Sequence, residues 1–74
     1  IDYALPRAGR VRLTVCDIAG RRVANLVDRA ETAGSHHTSW DGRDVHGRAT
    51  APGVYFAMLE LGGETRARRL VRVD

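Results

Sequence analysis

Apolar and polar residues alternate with a period of two along most of this chain. Ile1, Tyr3 and Leu5 alternate with Asp2 and Ala4 until Pro6 ends the run, which predicts a short strand with one apolar face. A turn at Arg7, Ala8 and Gly9 comes next. Val11, Leu13 and Val15 then share one face, with Arg10, Arg12, Thr14 and Cys16 on the other. This is the clearest half-buried strand of the sequence. "DIAGR" is the next turn, and Gly20, free to take positive φ, predicts a tight hairpin.

Residues 22–30 read two ways. Val23, Leu26, Val27 and Ala30 fall at i, i+3, i+4 and i+7, which is helical spacing. The same residues fit a strand with an irregularity near Asn25. Two arguments favour the strand: Gly20 is a weaker helix N-cap than Ser or Asp, and the segment comes after a hairpin turn, where consecutive elements tend to pair. "AETAG" is a loop. His36, Thr38 and Trp40 then alternate with Ser35, His37 and Ser39, predicting a strand over residues 35–40.

Residues 53–61, "GVYFAMLEL", are apolar on both faces apart from Glu60, the pattern of a mid-sheet strand covered on both sides. Gly62-Gly63 is a two-residue hairpin signal. Residues 65–73 return as the last strand, with Val71 and Val73 on one face and Leu70 on the other. No internal repeat and no low-complexity tract is evident. Six or seven short strands with Gly-marked turns predict an all-β antiparallel sandwich or barrel.

The punctuated segment "DGRDVHG" decides between chemistry and geometry. A calcium loop needs about six or more oxygen ligands, and here Asp41 and Asp44 stand beside Arg43 and Arg48. As turn residues the same carboxylates accept backbone N–H bonds two residues on. Gly42, Gly47 and Gly53 supply conformations that other residues avoid, and Pro52 fixes φ ahead of the next strand. The geometric reading is the stronger.

Metal and nucleophile readings fare no better. His36 and His37 are adjacent, so on a strand they face opposite ways. A zinc site built from His36 with Cys16 or His46 would still lack the usual four ligands. Cys16, the only cysteine, has no motif around it and reads as a small packed side chain. Trp40 and Tyr55, at the two ends of the segment, are either a stacking platform or core; core is favoured because aromatic residues dominate small cores. No cofactor is implied.

Size and charge add limits. Seventy-four residues make one domain, residues 1–74, near the lower limit for folding without a disulfide or metal. All twelve basic residues are Arg, and the net charge is +3. Arg66, Arg68, Arg69 and Arg72 cluster on the final run without an aromatic among them, which argues against nucleic acid as a partner. No apolar run is long enough to span a bilayer. The first residue lies inside a strand and is not Met, so the chain reads as a piece of a longer protein.

Together, "IDYALP", "GRVRLTVCDIAGRRVANLV", "AGSHHTSWDGRD", "PGVYFAMLELGG" and "RRLVRVD" resemble a known family. It is the immunoglobulin-like domain shared by the flagellar hook-capping protein and the C-terminal domains of many secreted bacterial proteins. Within it the sequence is similar to the type IX secretion system C-terminal sorting domain (type A). The pattern is carried by Asp17, Gly20, Arg21, Gly34, Trp40, Asp41, Gly42, Gly47, Gly53, Val54, Tyr55 and Leu59, which the resemblance makes turn and core residues. Cys16 stands where the family usually has an aromatic residue, Thr38 where it has an aliphatic one, and Arg where the last strand favours Lys.

The resemblance implies a seven-stranded sandwich without catalytic activity, at the C-terminus of an exported protein. It implies sorting by outer-membrane secretion machinery, passage through the periplasm, and a secreted or cell-surface destination. Neighbouring domains of the parent protein are the other expected partners. On this reading Arg66, Arg68, Arg69 and Arg72 form the machinery contact. The rival reading is an accessory adhesion module for glycan or protein, marked by exposed aromatics.

Overall fold

The computed structural model describes residues 1–73, and these form six strands and no helix. They are β1 (Asp2–Leu5), β2 (Gly9–Asp17), β3 (Arg22–Glu31), β4 (Gly34–His37), β5 (Gly53–Leu61) and β6 (Glu64–Arg72). Two antiparallel sheets result, one of order β1-β4 and one of order β3-β2-β5-β6. The sandwich therefore has six strands where the family resemblance implied seven. Between β4 and β5 only an isolated bridge, Arg43 to Ala49, is made. The predicted strand at 35–40 is also shorter than its alternation suggested. It ends at His37; Thr38 still exchanges backbone bonds with Ile1, Thr38 N–H to Ile1 O at 2.9 Å and Ile1 N–H to Thr38 O at 2.7 Å, and beyond it the chain leaves for the corner.

The core lies between the sheets and keeps the period of two. Val11, Leu13 and Val15 of β2 are at most 1% exposed. Ala57 and Leu61 of β5 and Leu5 of β1 are also buried there. Burying a side chain of this kind contributes about 1.5–3 kcal/mol, so the three β2 residues anchor the fold.

β3 is a strand, and its helical-looking spacing has a physical cause. Its register against β2 slips twice, between Leu13/Thr14 and between Val15/Cys16. Leu26 and Val23 are the extra residues, each opposite no β2 residue. Such bulges advance the strand by one residue and re-aim the side chains beyond them. Val27 consequently pairs with Leu13 and Ala24 with Val15, both inward and buried although three positions apart.

One expectation for β5 is overturned. The strand is mid-sheet, between β2 and β6, but it is covered on one side only. Ala57 and Leu61 are buried beneath the small sheet and Tyr55 against Trp40, whereas Phe56 and Met58 are half-buried and Val54 is exposed on the opposite face. Their cover is lateral: Cys16 and Thr14 of β2 and Arg69 and Ala67 of β6 stand directly opposite them in the ladder.

Candidate functional site

Two regions carry the residues singled out by sequence: the corner between Trp40 and Tyr55, and β6. At the corner the carboxylates are committed to the backbone. Asp41 Oδ1 accepts from Arg43 N–H at 2.9 Å. Asp44 Oδ1 accepts from His46 N–H at 2.8 Å and Arg48 N–H at 3.0 Å. The Arg48 and His46 N–H bonds hold the Asp44 carboxyl below its ordinary value of 3.8, because they are made to the charged form. Arg43 sends its guanidinium to Gly47 O, 3.0 Å. Among the described residues no three of His, Cys, Asp and Glu converge as metal ligands would.

The β2–β3 hairpin has the same construction. Asp17 Oδ1 accepts from Ala19 N–H and Arg21 N–H, both at 3.0 Å. Gly20 N–H returns to Asp17 O and Asp17 N–H to Arg21 O. In the corner, Gly47 N–H returns to Asp44 O and Asp44 N–H to Arg48 O. Gly20 and Gly47 take φ of 83° and 78°, the left-handed position of a three-residue hairpin loop. The five-residue run Asp-x-x-Gly-Arg thus occurs twice, as "DIAGR" and "DVHGR", one turn construction used at two places. It was visible in the sequence as two identical sets of three residues at identical spacing.

The aromatic pair closes the corner from inside. Tyr55 is buried, its ring meets Trp40 edge-on with centroids 5.0 Å apart, and its hydroxyl donates to Ala51 O at 2.5 Å. Trp40 Nε1–H donates to Arg43 O, 3.0 Å. Both polar tips are therefore spent on the corner's own carbonyls. Gly42 is buried under Arg72: a Cβ there would stand 2.6 Å from Arg72 Nε. Gly53 opens β5, and Leu59 is half-buried at the margin of the core.

A polar cluster that sequence reasoning missed joins β1, β3 and β4. Glu31, the last residue of β3, has a side chain only 6% exposed. Tyr3 Oη–H donates to Glu31 Oε1 at 2.8 Å, and His36 Nδ1 lies 2.6 Å from Oε2. His36 Nε2 lies 2.7 Å from Thr32 O. That carbonyl can only accept, so Nε2–H is the donor to it. His36 stacks on Tyr3, with centroids 5.4 Å apart. The candidate partners for a zinc-bound His36 are elsewhere, Cys16 on the far face of the large sheet and His46 at the exposed corner tip. The one sequence signal was the alternation that placed His36 on an inward face.

The four arginines of β6 do not form one surface. Arg66, Arg68 and Arg72 stand opposite Leu59, Ala57 and Gly53, so they share the side that faces the small sheet. Arg69 stands opposite Phe56 on the outer face. Arg68 Nη1–H reaches Asp2 O at 3.3 Å. None of the four pairs with a carboxylate among the described residues, unlike Arg10, Arg12, Arg21 and Arg29.

Comparison with known proteins gives one match. A family described as FlgD Ig-like domain matches residues 1–61. No curated protein and no solved structure matches the chain. The matched span ends with β5, so β6 and its arginines lie beyond it. It nevertheless covers most of the chain, including both Asp-x-x-Gly-Arg turns and the Trp40–Tyr55 corner, and the protein belongs to the family of FlgD Ig-like domains.

Proposed function

We propose that this domain is a non-catalytic sorting and anchoring module of an exported bacterial protein, read through strand β6. The observation that supports the reading is the position and chemistry of that strand. β6 is an edge of the four-stranded sheet, with one side of its backbone unpaired. An open edge is a template for strand addition. It also carries four arginines that no carboxylate of the described residues neutralises. The partners on this reading are outer-membrane secretion machinery or neighbouring domains of the same protein. The destination is the cell surface or the medium, by way of the periplasm.

The test is deletion of Arg69 to Asp74 from the full protein in its native cell, and then fractionation. The expected result is loss of surface material and its retention in the periplasm. Normal export of the truncated protein would remove the sorting role.

A further inference from the structure

Among the described residues β1 pairs only with β4, and β6 only with β5. Each therefore keeps one free edge, and both free edges border the same cleft of about 510 Å³. Asp2 and Ala4 form one wall, Arg66 and Arg68 the other, and Leu13 and Leu59 lie between them. No Cα of β1 comes within 8 Å of one in β6, which is too far for direct pairing, since paired strands lie about 4.7–4.9 Å apart. Among the described residues the link across the gap is Arg68 Nη1–H to Asp2 O, 3.3 Å. Leu59 stays half-buried although it stands in the middle of a central strand. The sandwich is open along this seam.

The walls specify what would close it. Arg66 and Arg68 stand two residues apart on the same side of β6. That is the side-chain repeat of an extended strand, about 6.6–6.8 Å. The nearest acid on the other wall, Asp2, is already taken by His37 Nδ1 at 2.7 Å. Two unpaired guanidiniums at strand spacing match two carboxylates at strand spacing, because opposite charges directly across a ladder attract. Beyond Arg66 the cleft turns apolar over Pro6 and Leu59, with Glu64 at its end.

We propose that this cleft receives one extended peptide strand of a partner, paired along the free edge of β6. Carboxylate side chains two residues apart face Arg66 and Arg68, and an apolar side chain two positions further lies against Pro6 and Leu59. The inference rests on β6 being the contact strand and names the chemistry of what it contacts. Main-chain bonds to the edge supply affinity, and the alternate side chains supply selection. On binding, Arg68 exchanges Asp2 O for a carboxylate, which makes a stronger, charge-assisted bond.

The experiment uses the whole chain and a short fluorescent peptide. The peptide has glutamates at two alternate positions, isoleucine two further on and threonine between them, and binding is read by anisotropy. Arg66→Glu or Arg68→Glu weakens binding at least about tenfold, as expected for truncating or reversing a charge pair. Replacing by lysine only the glutamate that faces the reversed residue restores binding to that variant. Arg66→Gln, which leaves the Arg68 link to β1 intact, weakens binding to a smaller extent. Arg69→Glu, on the other face, leaves it unchanged. N-methylation of alternate peptide amides abolishes binding, because the edge is then no longer paired.

Equal losses for Arg69→Glu and Arg66→Glu would overturn the proposal, as would full binding by the N-methylated peptide. So would equal binding by an acidic polysaccharide such as polygalacturonate, which has charge but no strand edge. The assay is separable from the export test, since residues 66 and 68 survive the deletion of 69–74. Peptide binding with normal export retains the cleft and removes the sorting role; failed export without peptide binding does the reverse.

Discussion

Asp44 does for the corner what Asp17 does for the β2–β3 hairpin: each Oδ1 accepts the backbone N–H groups two and four residues ahead. Each turn also places its glycine at positive φ, with open space around the position of an added Cβ. The cost of substitution is therefore conformational and not steric. Gly47→Ala and Gly20→Ala are each expected to destabilise the domain by about 1–2 kcal/mol, the penalty of a left-handed residue. Asp44→Ala and Asp17→Ala are expected to lower stability as well, through unmade hydrogen bonds to the turn. Urea unfolding checks both. Gly47→Asn should recover part of the loss, since Asn tolerates the left-handed region; a neutral Gly47→Ala would show that the turn does not need it.

The same turns contribute to the acid response, together with Asp2, whose carboxyl the His37 hydrogen bond also holds below 3.8, and Tyr3 contributes to the alkaline one. The backbone N–H of Arg21 holds the Asp17 carboxyl below 3.8, and that of Arg48 does so for Asp44. A folded-state value below the unfolded one gives stability that is present above about pH 4 and is lost as pH falls through the folded value. Tyr3 is pushed up to about 12 by burial first and by Glu31 second. A raised value works in the other direction. Its contribution is complete below about pH 10 and is lost as pH rises towards 12. Thermal unfolding across pH should therefore show two shoulders. Asp17→Asn with Asp44→Asn flattens the acid one, and Tyr3→Phe flattens the alkaline one. An alkaline slope that survives Tyr3→Phe would assign it to another group.

Much of this architecture was legible because period-two burial writes itself into residue order. Val11, Leu13 and Val15 read as core and are core. Gly62-Gly63 read as a hairpin and joins Leu61 to Glu64. The failures have physical causes too. Bulges at Val23 and Leu26 shift the apolar phase, so β3 imitates a helix in one dimension. β5 looked covered on both faces because Phe56 and Met58 are apolar, but lateral neighbours can half-bury a side chain without a second layer. The Tyr3–Glu31–His36 cluster was hidden because its members come from three strands, and no local spacing records that Glu31 meets the hydroxyl of Tyr3. The divergence of Arg69 from Arg66, Arg68 and Arg72 was implicit in alternation, yet a count of basic residues treats the four alike.

The one-sided cover of β5 predicts unequal costs on its two faces. Leu61→Ala, buried on the inward face of β5, should cost about 2–5 kcal/mol. Met58→Thr, on the open face, should cost under about 1 kcal/mol, because it exchanges a half-exposed chain for a good strand former. Comparable losses at the two positions, measured by urea unfolding, would mean that the outer face is covered in solution.

The final prediction concerns how the segment between β4 and β5 is held without a strand of its own. Two anchors reach it from below: Tyr55 Oη–H to Ala51 O at its end, and Trp40 Nε1–H to Arg43 O near its start. Tyr55→Phe keeps the ring against Trp40 and removes one hydrogen bond, leaving the Ala51 carbonyl short of a donor; about 1–3 kcal/mol is expected. Trp40→Phe removes the other anchor and reduces the edge-on contact. If both pin one segment, releasing the first lets that segment move, and the second then has less to hold. The double variant should accordingly fall short of the summed losses by at least about 0.5 kcal/mol, outside the range of independent sites. Strict additivity would mean that the two ends of the corner are held separately, and that the Trp40–Tyr55 contact transmits nothing between them.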